Sequence, residues 1–95
     1  MKVTFLFFSS IREAAGMKHF ELNLDGNEET LINVLIKLTN TLSEQFRSII
    51  FNDNFEIKDS IKIAVNETYI PKYEFSKFKV KNGDVIAIFP PASGG

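Results

Sequence analysis

The sequence predicts an α+β domain of two layers, in which one principal helix lies across a mixed β-sheet. Three observations carry that prediction. The runs Val3–Phe8 and Val85–Phe89 are apolar on both faces, as central strands are. Leu31, Val34, Leu35, Leu38 and Leu42 recur at helical spacing with Asn33, Lys37 and Asn40 opposite. Between these landmarks the order reads strand, strand, helix, strand, short strand, strand.

Val3-Thr4-Phe5-Leu6-Phe7-Phe8 is β-branched and aromatic and too short for a helix. Ser10 with Glu13 has capping-box spacing and Gly16 stands at a helix C′ position, which predicts a short helix over 11–15. His19–Leu24 alternates, with Phe20, Leu22 and Leu24 on one face, until Asp25-Gly26 ends it. Thr30 is the expected N-cap of the main helix, with Glu28 and Glu29 at its positive end. Residues 44–60 are ambiguous. Phe46, Ile49 and Ile50 extend a helical face, whereas Asn52-Asp53-Asn54 and Lys58-Asp59-Ser60 read as loop. Ile61–Val65 is a strand, followed by Asn66-Glu67 and a brief extended Tyr69-Ile70 that Pro71 stops. Lys77, Lys79 and Lys81 alternate with Phe78 and Val80, and Asn82-Gly83-Asp84 turns the chain into the last strand. Among small folds this order fits the β-grasp. Residues 1–89 are thus expected to form one domain, with 90–95 as a flexible, extended tail.

Composition narrows the function. At 95 residues and 44% hydrophobic, the chain can bury one core but not wall off a deep substrate pocket. Basic and acidic residues number five against six over 1–47 and six against six over 48–95, which argues against nucleic acid as a partner. With no cysteine there is no disulfide, thiol nucleophile or Cys-based zinc site. His19 is the sole histidine, so neither a metal cluster nor a Ser-His-Asp triad is expected. Met1-Lys2 runs into a short apolar stretch without a cleavage site, and nothing approaches the roughly 20 apolar residues of a membrane span. A cytoplasmic protein is expected.

The chemistry concentrates in Pro90-Pro91-Ala92-Ser93-Gly94-Gly95. Two prolines favour a stiff, extended exit from the domain. From Phe89 to Gly95 the reach is on the order of 20 Å. Gly94 and Gly95 carry no side chains and suit a narrow channel. A terminal carboxylate, with an ordinary pKa of about 3.3–3.7, is a poor acyl electrophile. Adenylation by ATP overcomes this, and sulfide or a persulfide then displaces AMP to leave a thiocarboxylate. In a chain without cysteine, Gly95 is the place where sulfur can be carried covalently. An inert, unstructured end is the competing reading.

The ending Val85–Gly95, preceded by Asn82-Gly83-Asp84, resembles the small-subunit family of molybdopterin synthase. Val3–Phe8 with Ile11-Arg12-Glu13 and Gly16 is similar to that family's start, and Ala64-Val65-Asn66 to its middle strand. Phe-Pro-Pro-x-Ser-Gly-Gly is the most specific element. Residues 44–60 are longer than usual for the family. The resemblance implies a ubiquitin-like β-grasp sulfur carrier that binds no cofactor itself. A separate adenylyltransferase and sulfurtransferase system consumes ATP at Gly95 and installs the thiocarboxylate. The carrier then docks on a large catalytic subunit within a heterotetramer holding two carriers. Sulfur passes there to cyclic pyranopterin monophosphate, building the molybdopterin dithiolene.

On this reading Gly95 bears the reactive group and Gly94 permits threading. Pro90, Pro91 and Ser93 belong to the inserted tail, while Phe7, Phe8 and Phe89 are the docking candidates on the sheet. One helix covers one sheet face, so the second face either receives the large subunit or is covered by residues 44–60. The lysine stripe, Arg12 and His19 read as solvated surface, and Glu13, Glu28 and Glu29 as helix-start residues. Other readings are a carrier for thiamin thiazole, cysteine synthesis or tRNA thiolation, a ubiquitin-like modifier joined to lysines through Gly95, and a binding module with an inert tail.

Overall fold

The computed structural model describes residues 1–91. Along the chain run β1 (Lys2–Phe7), α1 (Ser9–Ala15), β2 (His19–Asn23), β3 (Glu28–Thr30), α2 (Leu31–Thr41) and α3 (Glu44–Ile50). They are followed by β4 (Lys62–Val65), β5 (Thr68–Ile70), β6 (Lys79–Lys81) and β7 (Val85–Phe89). Five strands make one mixed sheet in the order β2-β1-β7-β4-β5, and β3 pairs with β6 in a separate ribbon. β7 lies at the centre, parallel to β1 and antiparallel to β4. β1 and β7 each have a strand on both sides, so both occupy central positions in the sheet, as expected. This is the expected β-grasp.

Strand alternation divides the residues between two faces. Val3, Phe5 and Phe7 of β1, Ile86 and Ile88 of β7, and Ile63 and Val65 of β4 are buried on one face. Leu31, Val34, Leu35 and Leu38 of α2 are fully buried in the same cluster. α2 starts as expected, with the Thr30 hydroxyl accepting from the Asn33 N–H. Glu29 takes a hydrogen bond from the Asn33 side chain and one from the Thr30 N–H. With Lys37 and Lys79 nearby, those bonds hold its carboxyl below the usual range, the Asn33 bond contributing most.

Residues 44–60 settle on the helical side. Ser43 caps α3 by accepting from the Phe46 N–H. Phe46 and Ile50 are completely buried, and the Phe46 ring meets Phe7 edge-on with centroids 5.3 Å apart. Beyond α3, an isolated bridge joins Phe51 to Ile57, both buried. The segment therefore enlarges the first core and does not lie over the second sheet face.

Two local expectations are corrected. α1 begins at Ser9, with Phe8 as an N-cap whose side chain makes no capping bond, so the Ser10–Glu13 capping box does not form. The Phe8 carbonyl accepts from the Ile11 and Arg12 N–H groups, and burial of Ile11 fixes the helix against the sheet. The Gly16 end is as expected, with φ +74° and its N–H donated to the Arg12 carbonyl. Secondly, Glu28 and Glu29 do not merely flank a helix. They form β3, opposite Lys81 and Val80. The exposed lysines of β6 thus lie in register with an acidic strand.

Candidate functional site: the open sheet face and the tail exit

The second face of the sheet is uncovered among the described residues. Its centre is apolar because the same alternation that buries Phe5 and Phe7 turns Leu6 outward, and Ala64, Ala87 and Val85 come into register around it. Leu6 lies opposite Ala87, Ala64 opposite Ala87 and Tyr69, and Lys62 opposite Phe89. Leu6, Phe8, Ala64, Asn66, Glu67, Tyr69, Val85, Ala87 and Phe89 line a shallow depression of about 660 Å³.

Aromatic rings gather at the end where the chain leaves the sheet. Phe8 and Phe89 stack nearly parallel, with centroids 4.7 Å apart, and Tyr69 tilts against Phe89 at 5.8 Å. Tyr69 is 64% exposed and presents apolar ring surface to the solvent. Small residues at 64 and 87 leave room beside these rings, so a partner can insert apolar side chains of its own.

Of the docking residues expected from the sequence, Phe8 and Phe89 are brought together on this face, and Pro90 follows directly. Phe7 is not with them. It is 1% exposed and packed between Phe5 and Phe46, because neighbours on a strand point to opposite faces. Pro91 is exposed. Ser93, Gly94 and Gly95 lie outside the described residues. Tyr69 joins the site without being singled out by the sequence pattern. The signal that could have found it is the turn Asn66-Glu67, since a two-residue hairpin places residue 69 opposite residue 64.

That hairpin is tied to the strand leading into the tail. Asn66 and Glu67 take left-handed φ values of +50° and +72°. The Asn66 side chain donates to Asp84 Oδ1 at 2.9 Å and accepts the Val85 N–H at 2.9 Å. Asp84 Oδ2 accepts the Lys81 N–H, and Asn82 Oδ1 accepts the Lys2 N–H, both at 2.8 Å. Residues at the middle and end of the chain thereby set the register of β7. Asn66→Ala is expected to cost about 1–2 kcal/mol in urea unfolding, from lost hydrogen bonds and an unfavourable backbone conformation.

A second hollow of about 450 Å³ lies between α3 and the following loop, lined among others by Glu44, Arg47, Asp53, Phe55 and Lys58. The Arg47 guanidinium sits 4.7 Å from the Phe55 ring centroid. Both signs of charge line it and no tail residue reaches it among the described residues, so the open face is the better candidate. Among the described residues no group of three or more His, Asp or Glu side chains gathers as metal ligands, and no helix is long and apolar enough to cross a membrane.

The sheet order and the helix across it put the chain in the ubiquitin-like β-grasp class. It aligns over its whole length with small archaeal modifier protein 1 from Haloferax volcanii, also covered in full, at 26% identity and a TM-score of 0.86. The chain belongs to the ThiS family, which matches residues 5–95. It is 30% identical over 97 residues to the molybdopterin synthase sulfur carrier subunit of Chlamydomonas reinhardtii, with all of both chains covered. The Aedes aegypti protein of that name is 32% identical over 98 residues, covering all of this chain and 90% of the relative. A complex of subunits 1 and 2 of the molybdopterin-converting factor from Helicobacter pylori contains a chain of the same fold, at 23% identity, TM-score 0.64 and full coverage of both chains.

Proposed function

We propose that this chain is the sulfur-carrier subunit of a molybdopterin synthase and is not catalytic alone. The observation that carries the reading is the open aromatic face, whose central strand continues directly into the Pro-Pro tail. Full-length similarity to sulfur carrier subunits supports it, and the family match runs through Gly95. An ATP-dependent activating enzyme converts the Gly95 carboxylate to an acyl-adenylate with release of pyrophosphate. Sulfide attacks the carbonyl carbon and expels AMP to leave the thiocarboxylate directly. A persulfide donor expels AMP to give an acyl disulfide, whose S–S bond a second thiol of the donor system cleaves, forming a donor disulfide and freeing the thiocarboxylate. The face around Phe8, Tyr69 and Phe89 then seats the large subunit, and the tail delivers sulfur to cyclic pyranopterin monophosphate. Each dithiolene takes two sulfurs, so two carrier thiocarboxylates are consumed per product. A chain of the same fold occurs in the two-subunit Helicobacter complex, an arrangement this reading shares.

The docking part is tested with Phe8→Asp combined with Phe89→Asp. Aromatic anchors at an interface centre are worth about 2–4 kcal/mol each on truncation. Binding of the large subunit, measured by calorimetry, is expected to weaken at least about 100-fold. Both side chains lie outside the main core, and aspartate is a favourable N-cap at position 8, so the fold is retained. Unchanged affinity would overturn the assignment of this face.

The modifier reading draws support from the likeness to small archaeal modifier protein 1. It predicts high-mass conjugates on denaturing gels, whereas a sulfur carrier gives a discrete noncovalent complex.

A further inference from the structure

Cations from three parts of the chain stand at the level of the tail exit: Lys62 at the start of β4, Arg12 on α1 and Lys18 just before β2. Lys62 lies directly opposite Phe89 across the β4–β7 pairing. On the other side, the Phe7 N–H donates to the Lys18 carbonyl at 2.9 Å, and Arg12 Nε donates to the Phe7 carbonyl at 3.2 Å. Phe7 pairs with Ile88, so Arg12 and Lys18 flank the same level of the sheet from which the tail departs. All three cationic side chains are exposed. The Arg12 η nitrogens and both ammonium groups make no ion pair among the described residues.

The acidic groups nearby do not cancel them. Asp59 is bound to Lys72, and its carboxyl is held below the usual range chiefly by that hydrogen bond, then by the charges of Lys72 and Lys62. Glu13, next to Arg12 on α1, is exposed and makes no ion pair among the described residues. At the opposite end of the open face stand Glu67, which lines the depression, and Asp84. An apolar centre thus lies between a cationic end at the exit and an acidic end at the β4–β5 turn.

We propose that Arg12, Lys18 and Lys62 form a cationic collar around the tail exit that engages carboxylates rimming the channel into which the large subunit admits the tail. This collar rests on the large-subunit reading and adds to it the chemistry of the partner's rim. A face polar along its length orients the encounter, so that the tail meets the channel rather than the wrong end of the partner. Its signature is kinetic. Complementary charge raises the association rate at low salt, and screening removes the gain.

The test is stopped-flow association of the full-length carrier with the large subunit across a salt series. Wild type is compared with Arg12→Glu/Lys62→Glu, which leaves the aromatic face intact. The wild-type association rate is expected to fall steeply as salt rises. The variant is expected to associate roughly ten-fold or more slowly at low salt and to lose that salt dependence, with its dissociation rate little changed. Equal rates and equal salt slopes for the two proteins would overturn the collar while leaving the docking face in place. A wild-type rate that rises with salt would also overturn it, by indicating a cationic rim. Absence of any association at any salt would overturn the large-subunit reading and the collar with it.

Discussion

Deletion of Gly95 is expected to abolish sulfur transfer completely and to leave the folded domain as stable as before. The core explains the second half of that statement. Among the described residues every buried hydrophobic side chain lies between Val3 and Ile88, so the core is complete before the tail begins. Changes away from buried or hydrogen-bonded features normally stay within about 0.5 kcal/mol. The first half follows from chemistry. On the proposed mechanism, loss of Gly95 leaves the acyl group to be adenylated one residue short of the activating site, and the chain has no thiol to substitute. Dithiolene formation in a reconstituted system with activating enzyme, sulfur donor and large subunit is the assay. Retained product formation by the truncated chain would overturn the carrier mechanism.

Phe46→Ala is expected to have the largest effect on stability. The ring is completely buried and meets Phe7 edge-on, so its removal leaves a cavity between α3 and β1. Losses for such truncations run to about 3–5 kcal/mol. Small domains hold only about 5–15 kcal/mol in total, so a large part of the folding free energy is at stake. The thermal midpoint should drop by roughly 12–40 °C, given about 4–8 °C per kcal/mol in a domain of this size. Below that lowered midpoint, sulfur transfer should persist, because Phe46 and the open face lie on opposite sides of the sheet. A shift corresponding to less than about 1 kcal/mol would show that residues 44–50 are not part of the core.

The contrast between these variants reflects what is legible in the sequence. Central strands and the main helix announce themselves because burial imposes period: both faces apolar in Val3–Phe8 and Val85–Phe89, one face in Leu31–Leu38. Thr30 and Gly16 mark helix ends because backbone groups there require a cap or a left-handed residue. The segment 44–60 is ambiguous because Phe46, Ile49 and Ile50 are too few to show a helical period before the polar loop interrupts them. β3 escapes notice because Glu28-Glu29 is a poor strand sequence, and pairing with Lys81 and Val80 supplies its order from far along the chain. Phe7 and Phe8 look alike in sequence, and only the phase of β1 separates the core residue from the docking residue. The tail reading rests on Pro-Pro and Gly-Gly, residue types that act through their backbones, and its residues 92–95 lie outside the described ones. The cationic collar is the least legible, because Lys62 is brought there by strand register and Arg12 and Lys18 by hydrogen bonds to the Phe7 backbone, none of which the sequence displays.

The proposed function makes Gly95 the carrier of sulfur. Its most direct test is the intact mass of the full chain after incubation with the activating enzyme, ATP and sulfur donor, with fragmentation to locate any change. The expected result is a mass increase equal to one oxygen replaced by one sulfur, confined to Gly95 and lost on hydrolysis. An unmodified mass under those conditions, with the activating enzyme competent on a known carrier, would contradict it.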